Sequence, residues 1–227
     1  MKTAIFGDIN SSYPSLERFF GQTKKQGVTN YYCVGDIVHH NSLNGLRRSD
    51  DCIRLIADHD VLCVKGNHEK KLLAIIEGKK KSKVYALDNY ALPEYSDFTR
   101  QFLLALNDQE TVEETLVVHD SVLGKWMVFP RKEEFDALEE RGLRMLFFGH
   151  SHKRLHFVQD DQHSSWSYLS LENFFPQFDR EYNVSNGLHL INPGNLKRSN
   201  PPWGFSECGS YVVYDDDSQT IQFKRLK

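Results

Sequence analysis

Asp8, Asp36, Asn67, His119, His150 and His152 can all ligate a metal ion, and they stand at or just past the ends of short apolar runs. Those runs cover residues 3–6, 31–34, 61–64, 116–118 and 145–148, and their length and composition predict strands. A single Gly-Asp after a strand means little, because turns favour both residues for backbone reasons. Recurrence at five strand ends is harder to dismiss, since the carboxyl edge of an α/β sheet is where such folds bind ligands. Carboxylate, amide and imidazole donors suit manganese, iron, zinc or cobalt better than they suit a thiolate metal. Phosphoester hydrolysis needs neutralised nonbridging oxygens, hydroxide near neutral pH and a stabilised leaving oxygen, and paired ions about 3.5 to 4 Å apart supply all three. Asp36 would then be the shared carboxylate.

The elements that must position these residues follow from periodicity. Ser12-Tyr13-Pro14 opens a helix, Leu16, Phe19 and Phe20 continue it at helical spacing, and Gly27 ends the segment before the next strand, which makes a βαβ unit. Cys52, Ile53, Ile56 and Ala57 predict a second helix, and further helices are expected over residues 98–106 and 132–141. The last third changes character. Residues 155–158, 166–169, 188–191, 211–214 and 221–223 read as strands without long helices between them. Repeated βα units completed by antiparallel strands are expected, with residues 1–227 forming a single domain.

A formal net charge of −3 over 227 residues leaves no basic footprint, so neither general nucleic-acid binding nor attraction to anionic membrane is expected. Phosphate recognition would have to be local. No stretch approaches the roughly 18 apolar residues of a membrane span, and the Met-Lys-Thr start lacks a signal-peptide apolar block, so the expected location is cytoplasmic. Cys33, Cys52, Cys63 and Cys208 show no Cys-x-x-Cys spacing and read as reduced core thiols. The runs at 79–83 and 215–217 read as a solvated loop and a polar turn.

The blocks Gly7-Asp8-Ile9-Asn10, Gly35-Asp36, Gly66-Asn67-His68-Glu69, His119 and Gly149-His150-Ser151-His152 resemble, in content and order, the calcineurin-like metallophosphoesterase family. Ile191-Asn192-Pro193-Gly194-Asn195 resembles the Asn-Pro-Gly-Ser element of its small prokaryotic branch. The resemblance implies a four-layer α/β/β/α sandwich with two mixed sheets and two divalent ions. Metal one would take Asp8, Asp36 and His152 with Asn10 beside them, and metal two Asp36, Asn67, His119 and His150. By the same resemblance His68 stays off the metals and serves the transition state or protonates the leaving oxygen, a task fit for imidazole. A helix-start role for His68 is the simpler alternative.

Three departures matter. Asn10 stands where the family carries His, and its amide is a poorer donor to zinc or iron, so a more exchangeable first ion is expected. Manganese is the expected ion, with iron, zinc, cobalt or nickel as alternatives. Asn10 could equally be a cap for the following helix or turn. Val38-His39-His40-Asn41 replaces the Val-Asp-Arg-Gly of protein phosphatases. His39, His40, Lys65 and Arg198 are the candidate substrate contacts, with Lys197 beside Arg198, and polar loop or surface positions are the plain alternative for each. Asp120 follows His119 where a Gly is common, and it would either order water or face solvent. His59, His156, His163 and His189 read as structural or exposed. The expected activity is hydrolysis of a small-molecule or macromolecular phosphomonoester or phosphodiester. A dinucleoside polyphosphate hydrolase or protein phosphatase is the second enzyme reading, and a noncatalytic phosphate- or nucleotide-sensing module the reading from another class. Substrate choice would lie in loops such as 88–95 and 170–186, which carry no chemical code.

Overall fold

Successive residues of β1 (Lys2–Phe6) serve two different cores: Ala4 and Phe6 pack on one face, Ile5 on the other. That two-residue period is what a strand buried on both sides requires. It recurs in β5 (Thr115–Val118), where Leu116 and Val118 face away from Val117, and in β10 (Ser210–Asp215), where Tyr211 and Val213 face away from Val212. The computed structural model describes residues 1–39, 43–77, 96–123, 131–159, 176–197 and 209–227, with the backbone alone over 43–47.

Among the described residues the chain runs β1, α1 (Tyr13–Lys24), β2 (Asn30–Cys33), α2 (Leu43–Ala57), β3 (Leu62–Cys63), α3 (Asn67–Ile76) and α4 (Asp97–Ala105). It continues with β4 (Gln109–Val112), β5, α5 (Lys132–Glu140), β6 (Met145–Phe147), β7 (Arg154–Gln159), β8 (Glu181–Asn183), β9 (Leu188–Pro193), β10 and β11 (Thr220–Arg225). The described strands form two sheets, ordered β3-β2-β1-β10-β11-β8 and β4-β5-β6-β9-β7. Both are mixed: β1, β2 and β3 run parallel and so do β5, β6 and β9, while the flanking pairs are antiparallel.

The cores give the layering. Leu16 and Phe19 of α1, Ile53 and Ile56 of α2, Leu72 of α3 and Leu103 of α4 pack on the outer face of the first sheet. Phe135 and Leu138 of α5 pack on the outer face of the second, against Leu116, Leu146 and Leu190. Between the sheets lie Ile5, Val212 and Phe223 from one side and Val117, Phe147 and Ile191 from the other. This is the expected four-layer α/β/β/α sandwich. Each fully buried side chain of the Leu16 or Phe19 kind contributes about 1.5 to 3 kcal/mol relative to exposure.

The expected strands and helices that fall on described residues are found, mostly with small shifts at their ends. α2 begins at Leu43, well before the expected Cys52; β4 and β8 were not anticipated, and α3 only as the helix-start alternative for His68. β4 is an edge strand whose alternation of exposed and half-buried residues leaves no apolar signal, β8 spans only Glu181–Asn183, and α3 starts inside the block read as metal-binding. The expected strand at 166–169 and the segments at 79–83 and 88–95 lie outside the described residues, as do His40, His163, Arg198 and Cys208, and of the loop at 170–186 only the part from 176 lies within them. Cys33, Cys52 and Cys63 are free and buried, and burial pushes the Cys52 thiol up to about 12, which keeps it protonated and unreactive.

His59 stacks on Phe20 with centroids 3.7 Å apart, and His156 and His189 form a buried pair with Nε2 of one 3.1 Å from Nδ1 of the other. Burial, reinforced by His189, pushes His156 down to about 3. In the unfolded chain it titrates near the usual 6.5, so the unfolded state binds the extra proton between those values. Stability is therefore full above pH 6.5 and declines as pH falls toward about 3, at up to about 1.4 kcal/mol per pH unit. Urea unfolding of metal-free protein at several pH values should show a shallower acid decline in His156→Gln, and equal slopes would contradict this account.

Candidate metal centre

The first sheet delivers two aspartates and an amide, and the second delivers the imidazoles together with one carboxylate. Asp8 follows β1, Asp36 follows β2, and Asn67 opens α3 after β3, so the three adjacent parallel strands end side by side. His119 follows β5, and His150 and His152 follow the neighbouring β6. Two groups of donor atoms result, Asp8 with Asp36 and His152, and His119 with Asp120 and His150, each with its atoms within 4.8 Å of one another. Asp36 Oδ2 joins them: it lies 3.3 Å from His119 Nε2 and 3.4 Å from Asn67 Nδ2.

The backbone at these positions is unusual. Asp8, Asn10, Asp36, His150 and His152 adopt positive φ, between 50° and 64°. The left-handed region costs a non-glycine residue roughly 1 to 2 kcal/mol, and Asp, Asn and His are the types that tolerate it best. Strain of this kind persists only where surrounding contacts enforce it. Here Asp8 N–H donates to Gly35 O (3.0 Å), Asn10 N–H to Asp36 O (2.9 Å), and His150 N–H to Asp8 Oδ2 (3.1 Å). Asn10 is thus built into the site's backbone; the N-cap of α1 is Ser12, so Asn10 does not cap that helix, and it lies in the turn before it.

Glu69 is the clamp that the composition of the block did not reveal. Fully buried, it accepts N–H bonds from Asp36 (2.9 Å), Val38 (2.9 Å) and Gly66 (2.8 Å), tying the loop after β2 to the start of α3. With Gly66 as N-cap and Glu69 three residues on, Gly-Asn-His-Glu is half of a capping box, a spacing visible in the sequence. Burial and the neighbouring Asp36 charge push Glu69 up to about 7, while its N–H donors favour the ionised form. A side chain at Gly66 would overlap the Asp36 carboxylate, and at Gly35, with φ of 92°, a Cβ would lie 2.8 Å from Gly66 N. Close approach of these two backbones is what lets Asp36 Oδ1 accept the His68 N–H at 2.8 Å, at the positive end of α3.

Asn192, also fully buried, does the same for the second sheet. Its Nδ2 donates to Gly149 O (2.6 Å) and Ser151 Oγ (3.1 Å), fixing the loop that carries His150 and His152. His119 is oriented by Nδ1–H donation to Val34 O at 2.7 Å, which turns Nε2 toward Asp36.

Burial works against the charge of Asp36, but hydrogen bonding and charge from His119 outweigh it and lower the carboxyl to about 2. At His119 burial is outweighed by the same pairing, which raises it to about 10, and the adjacent Asp8 carboxylate raises His152. Asp8 Oδ1 and Asp120 Oδ1 are buried oxygens that accept no hydrogen bond among the described residues, yet lie 3.2 Å from His152 Nε2 and 3.1 Å from His150 Nδ1. Lone-pair atoms converging in this way fit divalent cations. Rotating the Asn67 amide by half a turn would put Oδ1 where Nδ2 now meets Asp36 and His150.

His68 stands beside this set, Nε2 3.9 Å from Asp36 Oδ2 and its ring 5.2 Å from that of His39. It occupies the first turn of α3, so helix-start placement and proximity to the cluster hold together. His39 donates its N–H to Ser11 Oγ (2.8 Å), and burial followed by the Lys197 charge pushes its imidazole down, which brings Lys197 into the same field. Lys65 is held by its backbone to Asn107 O (2.7 Å), and no contact of its ammonium with the cluster is seen among the described residues. No described helix is long and apolar enough to cross a membrane.

An uncharacterised protein of Methanocaldococcus jannaschii is 24% identical to this chain over 237 residues, covering 99% of this chain and 86% of the relative. Among solved structures, a metallophosphoesterase of Sphaerobacter thermophilus superposes with a TM-score of 0.74 at 22% identity, covering 100% of this chain and 88% of that one. A hypothetical protein of Pyrococcus horikoshii gives 0.63 at 12% identity, with coverage of 100% and 88%. At these identities the structural likeness speaks for the fold. Membership rests on the calcineurin-like phosphoesterase family model, which matches residues 1–154 and so takes in each of the residues discussed above up to His152. The chain belongs to the calcineurin-like phosphoesterase family and is a metallophosphoesterase.

Proposed function

We propose that this protein hydrolyses phosphomonoesters or phosphodiesters at a dinuclear centre, with Asp36 shared between the ions. One observation carries the reading: Asp36 belongs to the donor group of Asp8 and His152, while its Oδ2 lies 3.3 Å from His119 of the other group. Metal one is assigned Asp8, Asp36 and His152, with Asn10 alongside, and metal two Asp36, Asn67, His119 and His150. Bound divalent ions supply Lewis-acid charge neutralisation and a water whose pKa approaches neutrality.

The protein's own groups do the rest. Asp36 and Asp8 hold their carboxylates in place through the His68 and His150 N–H groups, so little reorganisation accompanies binding. His68 Nε2, beside the shared carboxylate, is placed to protonate the leaving oxygen or to bond a phosphoryl oxygen. His39, its ring 5.2 Å from that of His68, and Lys197, whose charge acts on His39, are proposed as further donors for phosphate oxygens, with Lys65, His40 and Arg198 the other candidates from the sequence. Manganese suits the first site because Asn10 offers oxygen where imidazole is usual. The proposed substrate is a small-molecule or macromolecular phosphoester, and the proposed location is cytoplasmic.

Stripped of metal and reloaded with manganese, the protein should hydrolyse p-nitrophenyl phosphate or bis-p-nitrophenyl phosphate, and Asp36→Asn should lower kcat/KM by about 10³-fold. Loss of all activity with two ions bound would favour the phosphate-sensing alternative. Asn10→His should tighten the more weakly held ion in a zinc or manganese titration. Unchanged stoichiometry, affinity and activity would contradict a weakened first site.

A further inference from the structure

We propose that Asp120 is an additional ligand of metal two, so that this site carries a second carboxylate besides Asp36. The inference rests on the dinuclear reading above. Asp120 directly follows His119 at the end of β5, and its side chain turns into the group formed by His119 and His150. Its Oδ1 is buried and accepts no hydrogen bond among the described residues, while lying 3.1 Å from His150 Nδ1. That nitrogen is itself 3.2 Å from His119 Nε2 and 3.4 Å from Asn67 Nδ2. His150 Nδ1 thus meets two residues already assigned to metal two and, beside them, Asp120.

A buried carboxylate oxygen left without a hydrogen bond is costly unless a cation compensates it, and this oxygen is the one turned toward His150. A residue serving only to orient His150 would accept a hydrogen bond from the imidazole nitrogen that does not face the ligands. Asp120 instead meets Nδ1, the atom that faces His119 and Asn67. The addition makes the metal-two donors three oxygens, from Asp36, Asn67 and Asp120, and two nitrogens. With Asn10 supplying oxygen beside metal one, both departures from the family pattern shift the centre toward hard ions of the manganese kind.

The test uses full-length protein, with calorimetric manganese titration and visible spectra of the cobalt-substituted form for wild type, Asp120→Ala and Asp120→Asn, whose folding is checked by circular dichroism. Asp120→Ala should weaken one ion by about tenfold or more and leave the other unchanged. Its cobalt d–d bands should intensify as the coordination number falls, with Asp120→Asn intermediate. Equal affinities and spectra would overturn the proposal, and weaker binding with unchanged cobalt bands would reduce Asp120 to a positioning residue. Wild type that takes up no ion would overturn both this proposal and the phosphoesterase reading. Wild type that takes up ions without regard to Asp120 would overturn this one alone.

Discussion

Asp36 is held from every side before any ion or substrate is involved. Its backbone is in the left-handed region at φ 54°, its N–H is bound by the buried Glu69 carboxylate, its carbonyl accepts the Asn10 N–H, and its own carboxylate accepts the N–H of His68. Gly35 on one side and Gly66 across the gap leave no room for side chains that would separate the two loops. The roughly 1 to 2 kcal/mol of backbone strain at this residue is thus carried by contacts that also fix β2, β3 and the start of α3 relative to one another. Remove that knot and neither donor group keeps its shape.

The four-layer architecture explains why the donors differ in kind. Asp8, Asp36 and Asn67 come from the parallel strands β1, β2 and β3 of one sheet, and the three imidazoles, with the Asp120 carboxylate, from β5 and β6 of the other. The apolar contacts of Ile5, Val34 and Val212 with Val117, Phe147 and Ile191 bring the two carboxyl edges together. A cation bound by Asp36 and His119 would tie the sheets to each other, so metal affinity and stability are coupled in this fold.

Much of this was readable without coordinates, for physical reasons that differ from residue to residue. Asp8, Asp36 and His150 stand out because each follows an apolar run and a glycine; β1 and β6 are buried strands, and β2, though half-buried, carries Tyr31, Tyr32 and Cys33. Glu69 was legible in principle, since Gly66 and Glu69 have capping-box spacing, but its bonds to Asp36 and Val38 join loops more than thirty positions apart. Asp120 could be noticed as a departure, yet whether its carboxylate turned toward His150 or toward solvent depends on a side-chain direction that composition does not encode. Asn192 belonged to a recognised block whose task, gripping Gly149 and Ser151, emerges only when β9 pairs with β6 and β7. Edge strand β4 and the three-residue β8 carry too few buried positions to announce themselves.

The central claim is that Asp36 lies between two ions held by donors from opposite sheets. Crystals of the manganese-loaded protein, measured for anomalous scattering near the manganese edge, test it directly. Two anomalous peaks about 3.5 to 4 Å apart with the Asp36 carboxylate between them are predicted. A single peak, or a pair of peaks that Asp36 does not touch, would contradict it.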